Sequence, residues 1–187
     1  MHRNSLLLFQ QIGRPLLKGR FRILEIGPGV FPSHLQLACD WPTEWHTLDI
    51  VPQPELTYYA DQYEFPVPDT AYDAVVAANV VEHVRKPWRW IREVARVMRP
   101  GAVVVLVSPV DWAFHEDPVD CWRIYPDGFR ALFDEAGLTF NLGWHGSREP
   151  LCGRSAIVQN ARNWLSLPTA RIRSPSLAAN AWYGTMF

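Results

Sequence analysis

The chain has 187 residues, of which 48% are hydrophobic and 20% are charged, and its formal net charge at pH 7 is −1. This length fits one domain with a substantial core, and the composition excludes a disordered chain. A net charge near zero provides no global basic field, so we expect no nucleic-acid partner. The three cysteines form no C-x-x-C pair and support neither a disulfide framework nor a zinc knuckle.

The N-terminal residues predict a leading helix at 5–17, within a segment that we bound at 1–19. Its apolar start soon reaches Gln10, Gln11 and Arg14, so it lacks the long apolar region of a signal peptide. No run approaches the length of a membrane span, and we expect a cytoplasmic protein with no integral membrane segment. A capping role over the site is the favoured interpretation of this helix; a homodimer contact and a membrane contact stay open.

Apolar runs then alternate with segments of helical periodicity, which is typical of βαβ units and a parallel sheet. Strands are predicted at 21–26, 45–50, 57–60, 72–78, 102–107 and 138–144, and helices at 33–39, 88–98 and 129–136. Beyond residue 147 the pattern predicts an amphipathic helix at 155–165, a loop at 168–179 and a final strand in the last residues. We interpret 1–187 as one domain, with a cofactor-binding core at 20–146 and a C-terminal extension at 147–187.

An acid and two glycines mark the end of the first strand, in the sequence Glu25-Ile26-Gly27-Pro28-Gly29. The glycines permit a tight turn and close approach of a ligand to the backbone. A dinucleotide fingerprint requires a third glycine where this chain has Pro32, and Glu25 would be a poor neighbour for a pyrophosphate. An acid here suits a cofactor that carries an ammonium and a sulfonium.

Several segments in register resemble the motifs of class I S-adenosylmethionine-dependent methyltransferases, over roughly residues 20–137. They include residues 24–29, 46–50, 59–62, 65–75, 79–84 and 97–102. The resemblance implies S-adenosylmethionine as cofactor and a Rossmann-like fold: a doubly wound, mostly parallel seven-stranded sheet in three layers, α/β/α. One departure is Phe31, followed by Pro32, where the usual motif has its last glycine.

The same resemblance assigns cofactor-binding residues. It places the glycine turn against the cofactor, gives the ribose hydroxyls to the second-strand acid, gives the adenine amino group to the third-strand acid, and closes strand four with an asparagine. The implied set is Glu25, Gly27, Pro28, Gly29, Asp49, Ile50, Asp61, Gln62 and Asn79.

Catalytic candidates follow strands four and five. His83 closes the strand-four motif, where a helix-start histidine bonded to backbone is the alternative. Residues 111–126 resemble a segment of bacterial type 11-like methyltransferases linked with polysaccharide or glycolipid pathways, which implies that His115, Asp117 and Asp120 reach the acceptor. A solvated acidic turn is the alternative there, with Asp120 paired to Arg123.

We therefore expect methyl transfer to a hydroxyl of a sugar, a glycolipid precursor or a similar small molecule, by in-line displacement with a general base. An N-methyltransferase and a non-catalytic cofactor-binding or assembly module are the alternatives. A magnesium ion held by His83, His115, Asp117, Asp120 and His145 is a further one, but no spacing is diagnostic of it, and we assign no metal ligand.

Overall fold

The computed structural model describes residues 3–116, 118–146 and 154–161. Its helices are α1 (Arg3–Leu8), α2 (Arg14–Leu17), α3 (His34–Leu37), α4 (Pro87–Val97) and α5 (Pro126–Glu135). Its strands are β1 (Arg22–Ile26), β2 (Glu44–Asp49), β3 (Tyr58–Tyr59), β4 (Tyr72–Ala78), β5 (Met98–Asp111), β6 (Thr139–Gly146) and β7 (Arg154–Ala161). A π-helical turn, Phe9–Gly13, joins α1 to α2, and a 3-10 turn, Val81–His83, precedes α4.

The strands form one seven-stranded sheet in the order β3-β2-β1-β4-β5-β7-β6. Pairing is parallel from β3 through β5, whereas β7 runs antiparallel to both β5 and β6. The chain moves outward from β1 in one direction with β2 and β3, and in the other with β4 and β5. Ligands bind at such a switch point, beyond the carboxyl ends of the strands. The predicted doubly wound, mostly parallel sheet is confirmed.

Helices cover both faces of the sheet and complete three layers. On one face, Val75 and Ala77 of β4 pack in a cluster with Trp90, Ile91 and Val94 of α4 and Phe129 and Phe133 of α5. On the other face, Ala74 and Val76 join Leu8, Phe9, Leu17 and Leu35. Alternate residues of β4 are therefore buried on opposite sides, which explains why this strand reads as a nearly continuous apolar run.

The leading helical segment packs against the sheet as part of this second cluster. Phe9 and Leu8 are fully buried there beside Val103, Val105 and Val107 of β5. No residue of the segment 3–17 lines the main cleft described below. The favoured prediction that this helix caps the site is therefore wrong, because its apolar face is used to cover the sheet.

The predicted helix at 155–165 is also wrong. Residues Arg154–Ala161 form β7, which pairs with β5 from Val103↔Ala161 onward and with β6 on its other edge. The segment interpreted as a C-terminal extension thus contributes a strand to the sheet itself. The loop predicted at 168–179 and the final strand predicted after it lie outside the described residues. Within the described part of the chain, no helix has the length and apolarity needed to cross a bilayer.

Candidate active site

Two left-handed turns meet at the carboxyl edge of the sheet. After β1, Gly27 and Gly29 have φ values of +71° and +72°, and after β4, Asn79 has φ +58°. Each turn is tied to the strand beside it. The backbone N–H of Gly27 donates to the Leu48 carbonyl at 2.9 Å, and the backbone N–H of Asn79 donates to the Val107 carbonyl at 2.8 Å. Glycine adopts this conformation without strain, and asparagine is among the few other residues that tolerate it.

The two glycines serve different purposes. A Cβ at position 27 would lie 2.4 Å from Cγ2 of Val80, so only glycine lets the β4 turn approach this closely. A Cβ at position 29 would meet nothing within 4 Å, because that glycine faces open space. The first glycine closes the two turns together, and the second leaves room for a ligand against the backbone.

A cleft of about 450 Å³ runs along this edge of the sheet. Every predicted cofactor-binding residue except Asp61 lines it: Glu25, Gly27, Pro28, Gly29, Asp49, Ile50, Gln62 and Asn79. Apolar side chains that the sequence analysis did not single out as site residues, Val51 and Phe65 among them, line the same cleft beside Ile50. Acids next to apolar walls suit a ligand that combines ribose hydroxyls with a flat purine.

Asp61 lies in a shallow depression that adjoins the cleft, since Ile50 and Gln62 line both. Its Oδ1 accepts the backbone N–H of Tyr63 at 2.8 Å, so the carboxylate closes a local turn. Asp49 stands at the end of β2, where its Oδ1 accepts the backbone N–H of Val51 at 3.1 Å. Both acids therefore follow the carboxyl ends of β3 and β2, as predicted, but only Asp49 faces the main cleft.

Glu25 is almost completely buried at the head of the cleft, with 2% of its surface exposed. The Ser33 hydroxyl donates to its Oε2, and the Trp45 ring N–H donates to the same oxygen at 2.8 Å. Burial nevertheless raises the pKa of this carboxyl to about 7, against the lowering effect of the two hydrogen bonds. A cationic group bound nearby would favour the ionised form, so the site is suited to the ammonium and sulfonium of the predicted cofactor.

Ser33 and Trp45 hold the Glu25 carboxyl in place, and sequence reasoning did not single them out. Ser33 is also the N-cap of α3, where its Oγ accepts the Gln36 amide at 3.0 Å. Trp45 lies in β2, two residues from Thr47, which is the register partner of Glu25. The sequence carried a signal for Ser33 as a helix cap after the glycine turn. The position of Trp45 depends on strand register and left no local signal.

The two predicted catalytic histidines come together at the wall of the same cleft. His83 and His115 both line it, and their rings meet edge to face with centroids 5.0 Å apart. Nδ1 of His83 lies 2.5 Å from the carbonyl oxygen of Val119, to which it donates. That bond assigns the ring proton of neutral His83 to Nδ1 and leaves its Nε2 as a proton acceptor.

Asp120 does not line the cleft, because its carboxylate holds the loop that carries His115. Arg123 donates to both oxygens of Asp120, at 2.5 and 2.7 Å, and the backbone N–H of His115 donates to Oδ2 at 2.9 Å. Arg123 is the main cause that keeps the pKa of this carboxyl far below its usual range. The predicted pairing of Asp120 with Arg123 is thus present. Asp117 lies outside the described residues.

Glu82 is a buried acid that the sequence analysis overlooked beside His83. Its side chain is fully buried, and in the described residues neither carboxyl oxygen has a hydrogen-bond partner within geometric limits. Burial raises its pKa to about 7. Its own carbonyl accepts the amides of Cys121 and Trp122 at 2.7 and 3.2 Å, which ties the strand-four turn to the His115 loop.

The magnesium alternative gains no geometric support from the residues that the structure describes. Among them, no three His, Cys, Asp or Glu side chains converge as metal ligands would. Of the five residues named for such a site, Asp117 and the side chain of His145 lie outside what the structure describes.

Comparison with known proteins agrees with this arrangement. Residues 24–106 match a family described as a methyltransferase domain. An uncharacterised methyltransferase from Mycobacteroides abscessus is 33% identical over 114 residues, which cover 53% of this chain and 43% of that protein. The matched segment therefore spans less than half the length of this relative.

Solved structures show how widely the fold is used. The 1,6-didemethyltoxoflavin-N1-methyltransferase of Burkholderia thailandensis, solved with 1,6-didemethyltoxoflavin and S-adenosylhomocysteine bound, superimposes with a TM-score of 0.67 at 12% identity, over 86% of this chain and 77% of that one. The cyclase SpnF superimposes with a TM-score of 0.66 at 16% identity, over 84% and 81%. Likeness at such identities concerns the fold alone, and one fold supports several reactions. Residues 24–106 thus match a methyltransferase domain, and the sheet around them has the fold of solved methyltransferases.

Proposed function

We propose that this chain transfers the methyl group of S-adenosylmethionine to a hydroxyl of a small acceptor, a sugar or a similar metabolite. The supporting observation is that a single cleft is lined both by a cradle of glycines and acids and by two histidines. The bound S-adenosylhomocysteine of the Burkholderia structure supports the choice of cofactor.

The cradle residues would hold the cofactor. Asp49 would bind the ribose hydroxyls, Glu25 would face the methionine ammonium, and the open side of Gly29 would admit the chain between them. Both hydrogen bonds that Glu25 receives from the described residues end on Oε2, so Oε1 is the oxygen that a ligand can reach. Asp61 and Gln62 would meet the adenine amino group from the adjoining depression.

The cofactor, when bound, supplies an activated methyl group, so the protein must position the acceptor and accept its proton. With the cofactor held by the cradle residues, methyl transfer would break its carbon–sulfur bond, form a carbon–oxygen bond and leave the electron pair on sulfur. We assign the proton of the acceptor hydroxyl to Nε2 of His83, because Nδ1 is already committed to the Val119 carbonyl. His115, edge to face with His83, would contact the acceptor from the other side of the cleft.

Exposed aromatic side chains lie in the chain segment on either side of His115 and favour a ring-bearing acceptor. Trp112, Phe114 and Trp122 are exposed by 43%, 71% and 36%, and Trp122 is fixed by its ring N–H bond to the Val84 carbonyl at 2.8 Å. Flat aromatic faces beside polar groups bind a molecule that has an apolar face and hydroxyl edges.

The test has two stages. Calorimetry measures S-adenosylmethionine binding, and transfer of a labelled methyl group is then assayed on panels of hydroxylated and amine acceptors. We expect micromolar binding, transfer to a hydroxylated acceptor and a loss of about 100-fold in kcat for His83→Gln. His46→Gln is the matched control, because His46 bonds the Tyr72 hydroxyl at 2.7 Å and does not line the cleft.

Other outcomes separate the alternatives. Binding without turnover on either panel would favour a non-catalytic cofactor-binding or assembly module. Transfer to amines only, unaffected by His83→Gln, would favour N-methylation, since an unprotonated amine needs no base. The absence of cofactor binding would refute the proposal and both alternatives together.

A further inference from the structure

Glu82 is a buried acid beside the site, and the proposed reaction does not use its carboxyl group. Its side chain is fully buried, and its two oxygens have no hydrogen-bond partner within geometric limits among the described residues. A buried acid in this state is costly to a fold, and such exceptions call for a specific explanation.

The surroundings of Glu82 limit what the carboxyl can do. It does not line the cleft, so it touches neither cofactor nor acceptor. The loop that carries His115, Val119 and Arg123 is called the acceptor loop below. The charged groups that face Glu82 from this loop are Arg123 and Asp120, and these neutralise each other at 2.5 and 2.7 Å. The Asn79 side chain approaches Glu82 from the strand-four turn and lowers its pKa. The remaining titratable neighbour is His83, whose Nε2 lies 3.8 Å from Oε1 of Glu82.

We propose that Glu82 is a positioning residue for His83, whose carboxylate stabilises the imidazolium formed when His83 takes the proton of the acceptor. This inference rests on the proposed function, which makes His83 the base. The proton leaves the acceptor hydroxyl and is bound at Nε2 of His83, and Glu82 gains and loses no proton in the step. The carboxyl lies 3.8 Å from Nε2, close enough for its negative charge to stabilise a positive charge that forms on the ring.

The backbone of Glu82 supports the same arrangement. Its carbonyl accepts the Cys121 and Trp122 amides, while Nδ1 of His83 donates to the Val119 carbonyl. Residues 82 and 83 are therefore fixed to the acceptor loop at three points, which holds the carboxyl and the imidazole in one relative position. A preset charge beside the developing imidazolium needs no reorganisation during the reaction.

The decisive experiment measures proton affinity in the cofactor-free full chain. The ring Cε1–H signal of each histidine is followed by NMR from pH 4 to 10, and the His83 signal is identified by its absence in His83→Gln. In Glu82→Gln, an isosteric change that cannot ionise, we expect the pKa of His83 to fall by about one pH unit or more. Glu93→Gln is the matched control. Glu93 lies on α4, where its carboxyl accepts hydrogen bonds from Arg96 of the same helix and from the backbone N–H of Phe65. This variant should leave the His83 titration unchanged.

Activity supplies a second readout once an acceptor is known. We expect kcat in Glu82→Gln to fall about three-fold to ten-fold, its acid limb to move to lower pH, and the KM for S-adenosylmethionine to stay the same. A merely structural role would change KM and kcat together and leave the pKa of His83 as it was.

A second measurement, made on the unmodified chain, tests the inference even if Glu82→Gln does not fold. In the unmodified chain, the His83 ring signal should respond when the Glu82 carboxyl ionises, because the two groups lie 3.8 Å apart. A His83 signal that ignores the ionisation of Glu82, or that is unchanged in Glu82→Gln, would overturn the inference. Since neither measurement requires methyl transfer, a failure of the proposed function would be seen separately, in the acceptor panels.

Discussion

The contact between the two turns that head the cleft can be tested by adding a single methyl group. Gly27→Ala places a Cβ 2.4 Å from Cγ2 of Val80, at a residue whose φ is +71°. Gly29→Ala adds the same atom at φ +72° but meets nothing within 4 Å. The pair therefore separates steric overlap from backbone strain in neighbouring positions of one turn.

The expected magnitudes follow from these two effects. A left-handed conformation costs alanine roughly 1–2 kcal/mol relative to glycine. Overlap in a packed region costs a further 1–3 kcal/mol or so, and Val80 cannot rotate away cheaply because β-branched side chains have stiff χ1 angles. We expect Gly29→Ala to lose about 1–2 kcal/mol of unfolding free energy and Gly27→Ala about 2–5 kcal/mol.

Urea denaturation followed by circular dichroism measures both losses, and Val80→Ala completes a double-mutant cycle with Gly27→Ala. Removing the methyl groups of Val80 should recover the steric part of the loss and leave the strain. The loss of cofactor affinity should follow the opposite order and be larger for Gly29→Ala. The added methyl of Gly29→Ala would occupy ligand space, while that of Gly27→Ala points at Val80. Equal destabilisation by the two variants, with no recovery in the double variant, would refute this account of the turn.

Three further predictions concern the acids and the acceptor loop. Asp49→Ala should weaken S-adenosylmethionine binding by roughly 1–3 kcal/mol through loss of charge-assisted ribose hydrogen bonds; unchanged affinity by calorimetry would remove the ribose assignment. His115→Ala should lower turnover while cofactor affinity stays the same, and an equal loss of both would indicate a structural role for that loop. Burial raises the pKa of both Glu25 and Glu82 from 4.5 to about 7, so the native state binds more protons than the unfolded chain in between. Unfolding free energy measured in urea should therefore fall as pH rises from 4.5 to 7, by about 3 kcal/mol per acid, and the slope should flatten in Glu25→Gln and in Glu82→Gln. A stability that rises with pH over this range would contradict the burial of these groups as acids.

Elements governed by local periodicity were predictable from the sequence. β4 was predicted at 72–78 and is observed at Tyr72–Ala78, and the helix predicted at 88–98 is observed at Pro87–Val97. The first is a continuous apolar run and the second repeats apolar residues at helical spacing, so in each the local pattern and the tertiary environment agree. Eight-residue strand β7 is the opposite case. It lies between β5, which is distant in sequence, and the preceding strand β6, and pairing with both overrides a helical pattern that is weak in itself.

The candidate site divides in the same way. Gly27, Gly29 and Asp49 follow strands whose ends the sequence marks, so their convergence at one edge follows from parallel pairing. The contact between Trp45 and Glu25 depends on the register of β1 against β2, which a single sequence does not specify. The unsatisfied state of Glu82 depends on what surrounds it from three segments, and an acid beside a histidine gives no sign of that in sequence.

Two acids of the site are buried, one in the cleft wall and one behind it. Glu25 lines the cleft, Glu82 lies beside His83, and burial raises the pKa of each to about 7. A carboxyl that is costly to ionise in the empty protein becomes favourable to ionise when a positive charge appears beside it. In the proposed reaction the positive charge reaches the two acids at different times. A cationic cofactor would bring its charge to Glu25 on binding, whereas the charge beside Glu82 would arise only when His83 is protonated. Stabilisation that appears with the imidazolium lowers the barrier, while stabilisation present from the first binding step sets affinity. The same chemical group, buried in the same way, would therefore serve binding at Glu25 and catalysis at Glu82.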